Sequence, residues 1–415
     1  MGSAEDPDQL ARSAVKSKFQ EYYRKNSDSI FPPSSMEKRE FGFLVFTEGV
    51  MIRHRSFRNV GDLRMFIQET APSDVYYSAA YYEDPEAPMD KKGWSGSDLI
   101  FDIDADHIET PCKQTHDRWL CIGCRSSGRG RAPLNCPRCG GQKFQEEVWM
   151  CNECLERAKQ EILKLIEFLS RDLGVDKDEI RVNFSGHRGY HLHVESEEVK
   201  SLSSEDRREI VDYVTGTGLE PELLGLLDTE GRLKVVGGPH PSDSGWRGRI
   251  ARGIMQVLLR TDAFELREMG LKSNTIESLI RLRGEADAGT ISWAEIDGAG
   301  RRTWQIIVRK AARLGAVSID TVVTSDIHRL IRLPETLNGK TGLKAMHVKI
   351  EELATFSPLT QAAAFEGEET VYIKEAPRFM IGSKGYGPFE NVEVALPTPA
   401  ALLLMCKGKA YPVAK

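Results

Sequence analysis

Seven of the eight cysteines lie between Cys112 and Cys154; the eighth, Cys406, stands alone near the end. No other stretch is so constrained by its side chains. "CIGCRSSGRGRAPLNCPRC" offers Cys121, Cys124, Cys136 and Cys139 as two CxxC knuckles. That spacing suits a tetrahedral Zn(Cys)4 ribbon, each knuckle giving two thiolates to one ion. Cys112, His116, Cys151 and Cys154 remain as a second set of four, expected as a Zn(Cys)3His site closing the base of the insert. An interleaved pairing of the two sets fits the spacing as well. Four protein ligands leave no open position, so zinc here is expected to be structural. Arg125, Arg129, Arg131, Arg138 and Lys143 of the loop suit phosphate contacts or a solvated surface.

Metal ligation rather than a disulfide framework agrees with the absence of a secretion signal: "MGSAEDPDQLARSAVKSKF" has no apolar h-region. Nor is there a run of the ~18 apolar residues that could span a bilayer. A soluble cytoplasmic protein is expected, without a membrane partner. Gly2 lacks the downstream Ser or Thr of a myristoylation signal. The net charge of -6 does not announce a nucleic-acid binder, so the distribution of charge matters more than its sum.

The second constraint is "SDLIFDIDADHIETPC", an apolar run carrying Asp98, Asp102, Asp104 and Asp106. Alternation on a strand sends Asp102, Asp104 and Asp106 to one face and Phe101, Ile103 and Ala105 to the other. Carboxylates so placed repel each other unless a cation sits between them. Mg²⁺ or Mn²⁺, hard ions that choose carboxylate oxygen and water, is the natural remedy; a solvated acidic edge is the alternative.

Around these segments the chain reads as follows. Residues 1–20 form a flexible N-terminus and first helix, 21–110 the first part of a catalytic α/β core, and 111–154 the zinc insert. Residues 155–200 and 316–385 complete the core, 201–315 form a mainly helical insertion containing the loop "GGPHPSDSGWRGR", and 386–415 a tail. "FGFLVFTEGVMIRHRSF" reads as a hairpin turning near Glu48 and Gly49, "DVYYSAAYY" as one strand, and Cys151 to Leu173 as a helix capped by Gly174. In "FSGHRGYHLHV", Gly186 and Gly189 permit a tight turn beside Ser185, Arg188 and His191, donors matched to phosphate oxygens; an ordinary charged hairpin is the rival reading. "SIDTVVTSDIHRLIRLPETLNGKTG" joins Asp320 and Asp326 to Arg329, Arg332 and Lys340, with Lys344 two residues beyond, within a region expected to be rich in strands. Carboxylates at one end and cations at the other are what a metal-bound triphosphate requires.

Taken in this order, the segments resemble the catalytic small subunit of archaeal and eukaryotic DNA primases. "DLIFDIDADH" looks like that family's metal-binding strand, "SGHRGYH" like its phosphate motif, and "DTVVTSDIHRLIRLPETLNGKTG" like its third-aspartate segment. The likeness runs from about Phe41 to Gly342, and the elaborate insert is closer to archaeal forms. It implies the primase α/β (α+β) fold, with mixed sheets and flanking helices around a catalytic cleft. Asp102, Asp104 and Asp320 would hold two Mg²⁺ or Mn²⁺ ions. Arg53, Ser185, Arg188, His191, Arg332, Asn338 and Lys340 would hold the nucleoside triphosphate. The family has histidine where this chain has Asn338, which can donate a hydrogen bond but carries no charge; that contact would be weaker or replaced by Lys340.

The activity implied is DNA-templated synthesis of short RNA primers by nucleotidyl transfer, on single-stranded DNA and with growing RNA or DNA primer ends. The expected partner is a large subunit bearing an iron-sulfur cluster, since Cys406 alone outside the zinc sets cannot build one here. Two rivals stand beside this reading: a repair or plasmid primase-polymerase of the same superfamily, and a non-catalytic zinc-ribbon protein that binds nucleic acid.

Overall fold

Helix α1 (Pro7–Asn26) starts where the Asp6 carboxylate accepts the Asp8 N–H (3.2 Å) and Pro7 supplies a fixed φ at the first turn. The computed structural model describes residues 6–46, 49–219, 240–285 and 299–413. After α1 come β1 (Phe41–Leu44), β2 (Met51–Arg55), α2 (Val60–Thr70), β3 (Asp74–Ser78), β4 (Ala80–Tyr82), β5 (Trp94–Ser97) and β6 (Leu99–Asp104). The insert adds α3 (Lys113–His116), β7 (Arg118–Cys121), β8 (Ser127–Arg129) and β9 (Phe144–Glu147). Then follow α4 (Asn152–Arg171), β10 (Ile180–Phe184), β11 (Gly189–Val194), α5 (Glu197–Lys200) and α6 (Ser204–Thr215). Helices α7 (Gly245–Arg260), α8 (Ala263–Glu268), α9 (Ser273–Glu285) and α10 (Arg301–Gly315) precede α11 (Thr321–Ser325), β12 (Leu330–Arg332) and β13 (Met346–Val348). The chain ends with α12 (Pro358–Gln361), β14 (Glu368–Ala376), β15 (Phe379–Ile381), β16 (Lys384–Tyr386), β17 (Phe389–Pro397), α13 (Thr398–Cys406) and β18 (Ala410–Pro412).

This is a mixed α/β architecture of small antiparallel sheets flanked by helices, the class expected. Contacts divide it into two units: Met1–Leu163 with Asp178–Arg208 and Ile319–Lys415, and Lys164–Lys177 with Glu209–Ser318. In the first unit one sheet runs β12-β3-β1-β2 and another β13-β10-β11-β6. The second of these sheets decides which side chains share a face. His347 pairs with Asn183, Asn183 with His191, and His191 with Asp102. Directly opposite residues of antiparallel strands point the same way, so the four make one polar row. The other face is apolar: Phe101, Ile103, Val182, Phe184, Tyr190 and Leu192 are buried, and Phe356 meets the rings of Phe184 and Tyr190 edge-on. In the second unit α7 lies so near α10 that a Cβ on Gly253 would come within 2.6 Å of the Ala311 carbonyl oxygen. Glycine is required there by backbone approach.

Three local expectations change. "DVYYSAAYY" is two strands: the Ser78 hydroxyl donates to the Ala80 carbonyl (2.6 Å) and accepts the Glu40 N–H, bending the chain so that β4 pairs with β5 instead. The residues after Asp320 are helical, because the Asp320 side chain accepts the Val322 N–H (3.0 Å) and caps α11. The loop before Trp246 is shorter than expected, α7 starting at Gly245; its first residues, 237–239, lie outside the described residues, as does Glu48 of the β1–β2 turn.

Candidate active site

The polar row ends at a cavity of about 770 Å³ in the first unit. Asp102 and Asp104 line it from β6, two residues apart on one face. Asp320 does not line it, yet its backbone N–H donates to the Asp102 carbonyl (2.8 Å), so the cap of α11 is fixed beside β6. Burial, then the Asp104 and Asp320 carboxylates, push the Asp102 carboxyl up to about 7. The cluster is thus short of positive charge at the point where the sequence calls for a cation.

Ser185 and His187, from the β10–β11 turn, and His191 line the same cavity. The Ser185 hydroxyl accepts the N–H groups of His187 (3.2 Å) and Gly189 (3.3 Å). Gly186 has φ +74°, and a side chain there would strike Asn338 and the Ala345 nitrogen, so the turn needs glycine twice over. His191 Nε2 is 3.7 Å from Asp102 Oδ1, and its Nδ1 has no hydrogen-bond partner. Burial, reinforced by Arg332 and Arg329, holds its pKa near 3, and burial holds His187 near 4. Both are neutral imidazoles at pH 7, donors rather than cations.

The cations come from elsewhere. Arg332 on β12 is paired with Asp74, donates to the Tyr76 hydroxyl (3.1 Å) and lies 4.7 Å from the centre of its ring. Arg329, Lys340 and Arg12 also line the cavity. Asn338 is buried: its Nδ2 donates to the Ser185 carbonyl (3.2 Å) and its Oδ1 accepts the Lys340 N–H (2.9 Å). That amide therefore ties two candidate nucleotide-binding segments to each other. Asp74, Tyr76, His187 and Arg12 were not singled out from sequence: His187 sits unremarked inside the "SGHRGYH" motif, the other three lie in segments without a motif, and only pairing of β3 with β12 brings Asp74 and Tyr76 to Arg332.

Besides Asp320, two further expected residues are not among those lining the cavity. Arg188 is buried and ion-paired with Asp106. Arg53 donates to Glu40 (2.9 Å). Asp106 does not continue the alternation: Asp104 Oδ1 accepts the Asp106 N–H (2.9 Å), which turns the chain and ends β6. Asp98 is wholly buried with Arg39 (2.7 Å) and the Tyr81 hydroxyl (2.6 Å). Asp98, His193 and Glu195 gather closely enough for an ion, but Arg39 already supplies that charge.

In the insert the eight candidate ligands form two separate sets, Cys121, Cys124, Cys136, Cys139 and Cys112, His116, Cys151, Cys154. Thiolates around one tetrahedral ion stand roughly 3.8 Å apart, from metal–sulfur bonds of about 2.3 Å. Cys121 and Cys139 are 3.6 Å apart, as are Cys124 and Cys136; Cys112 and Cys154 are 3.3 Å apart, and His116 Nε2 is 3.5 Å from Cys154. His116 Nδ1 bonds to the Asp117 carboxylate (2.7 Å), which also accepts the Trp149 N–H and leaves Nε2 for a metal. Both sets fit a structural ion. Beneath the first, Trp119 packs against Phe144 edge-on.

Comparison with known proteins agrees with this assembly. Residues 140–349 match the family described as DNA primase small subunit. The DNA primase small subunit PriS of Methanococcoides burtonii is 35% identical over 417 residues, covering 95% of this chain and 97% of its own. The chain belongs to the DNA primase small subunit family. Its counterparts in Archaeoglobus fulgidus (33% over 411 residues, 97% of this chain and 98% of the relative) and Cenarchaeum symbiosum (32% over 393, 94% and 96%) match over the same extent. Members are the catalytic subunits of DNA primases, and a small subunit implies a large one. Among the described residues of this primase subunit, no helix is long and apolar enough to cross a membrane.

Proposed function

We propose that the chain makes RNA primers on single-stranded DNA by nucleotidyl transfer, with the cavity around Asp102 and Asp104 as its active site. One observation carries the proposal: three carboxylates from β6 and the cap of α11 converge beside a cavity whose other lining includes Ser185, His191, Arg332, Asn338 and Lys340. Asp102, Asp104 and Asp320 would hold two Mg²⁺ or Mn²⁺ ions, which supply the charge that activates a 3'-hydroxyl and stabilises the departing pyrophosphate. The residues do the positioning. Ser185, His191 and Asn338 offer donors to phosphate oxygens, while Arg332 and Lys340 offset triphosphate charge. Arg188 and Arg53 would join them by exchanging Asp106 and Glu40 for phosphate. Zinc is the ion we assign to both cysteine sets, by the chemistry of thiolate and imidazole donors. The large subunit would bring an iron-sulfur cluster, and the pair would work on cytoplasmic DNA beside the nucleoid.

The test is incorporation of labelled ribonucleotides on single-stranded DNA without a primer. Asp102→Ala with Asp104→Ala should reduce it on the order of 10²–10³-fold or more, the scale of removing a transition-state electrostatic partner. Zinc content and the melting curve should not move. Primer synthesis by the double variant at wild-type rate would sink the assignment.

A further inference from the structure

Lys113 lies between two ligands of the second cysteine set, Cys112 and His116, and is only 8% exposed. Its ammonium donates to three carbonyls of one turn: Ala105 (2.6 Å), Ile108 (2.7 Å) and Asp106 (3.2 Å). An ammonium has three donors, and here each has a carbonyl acceptor. Among the described residues no carboxylate forms an ion pair with it. Burying a charge is costly unless it is hydrogen-bonded, and here the three carbonyls supply those bonds. What the lysine adds is a clamp on the turn that immediately follows Asp104.

That turn orients the metal-binding side chain. The Asp106 N–H donates to Asp104 Oδ1 (2.9 Å), the Ala105 N–H donates to the Arg188 carbonyl (3.1 Å), and the Asp106 carboxylate pairs with Arg188. A continuous path therefore runs from the cysteine set through Lys113 and the turn to Asp104.

We propose that Lys113 is a positioning residue that couples occupancy of the Cys112–His116–Cys151–Cys154 set to the orientation of Asp104, so that the structural ion sets the affinity of the aspartates for their divalent ions. The proposal rests on the metal-binding reading of Asp102 and Asp104. In enzymes, removing a group that orients a metal ligand weakens metal binding by about 10–100-fold.

Mn²⁺ binding to the full-length chain, followed by the spectroscopic signal of free Mn²⁺, tests it. Lys113→Met should bind Mn²⁺ about tenfold more weakly, at the lower end of that range. It should retain the wild-type content of the insert's metal and show faster hydrogen exchange over residues 105–108. In primer synthesis the Mn²⁺ requirement should rise while kcat at saturating Mn²⁺ returns close to wild type; Lys113→Arg should rescue part of the loss. His116→Ala should weaken Mn²⁺ binding as well, and combining it with Lys113→Met should add little, because both cut one path. Should Lys113→Met fail to fold, Lys113→Gln, which keeps an amide donor, is read by the same measurements. Unchanged Mn²⁺ affinity in the folded Lys113 variant or additive losses in the double variant would each overturn the coupling, and a loss seen only when insert metal is also lost would overturn Lys113 as its link. Asp102→Asn with Asp104→Asn is the control. If it still binds Mn²⁺ as wild type does, the metal-site reading falls and the coupling with it; if it does not, a silent Lys113 variant condemns the coupling alone.

Discussion

The cysteine insert and the aspartate cavity both gather candidate metal ligands, by opposite means. The ligands of the insert come from one short stretch, and the Cys121 set closes within a three-stranded ribbon whose core is Trp119, Cys121 and Cys136. The cavity draws on α1, β3, β6, the β10–β11 turn, β12 and α13. Spacing along the chain builds the first; strand register builds the second. A locally built site should therefore fail locally, whereas the cavity should respond to changes in the sheets far from any ligand.

The largest expected effect is on the insert. Changing Cys121 and Cys124 to Ser should release one metal equivalent, visible by elemental analysis, because zinc binding in such modules is worth on the order of 10–16 kcal/mol and is their folding energy. The main melting transition should remain; its collapse would show that the ribbon is not a self-contained piece.

Next in size is Arg39→Met, which leaves Asp98 buried beside Tyr81 without its cation. Removing one partner of a buried pair costs about 3–5 kcal/mol. Urea unfolding should shift by that amount, and added Mn²⁺ should not restore it. Recovery with Mn²⁺ would return Asp98 to the candidate ligands.

The smallest effect is a pH dependence. With its folded pKa raised to about 7, Asp102 must lose a proton to bind an ion. Mn²⁺ affinity should climb by up to about tenfold per pH unit below 7 and level off above it. The same shift means that in metal-free protein this group contributes stability below the usual carboxylate range, which is lost as pH rises to about 7. Asp102→Asn should flatten both profiles, and a Mn²⁺ affinity constant from pH 5 to 8 would contradict the raised carboxyl.

This division also explains what could be read beforehand. The two CxxC knuckles and the Asp102–Asp104 pair follow from spacing and alternation, the two local rules of the chain; the division of the eight ligands into two sets needed the structure, since an interleaved pairing fits the spacing as well. Alternation fails at Asp98 and Asp106 because the strand spans only Leu99–Asp104, and its end is set by a cap that periodicity does not contain. Asp320 stood out beside the cations of its own segment, but its place with Asp102 and Asp104 was accessible only through family likeness, since it depends on a backbone bond to Asp102 from a remote segment. Asp74 and Tyr76 sit in an unremarkable strand, and Lys113 among cysteines that drew the attention.

That backbone bond has a consequence for synthesis. Asp102 and Asp104 leave the ribosome early, followed by the insert and then by the whole second unit, before Asp320 emerges. A nascent chain stalled within α10 would hold both cysteine sets and two of the three carboxylates, yet lack the backbone bond that joins α11 to β6. The carboxylate cluster is thus completed only once the second unit has been made.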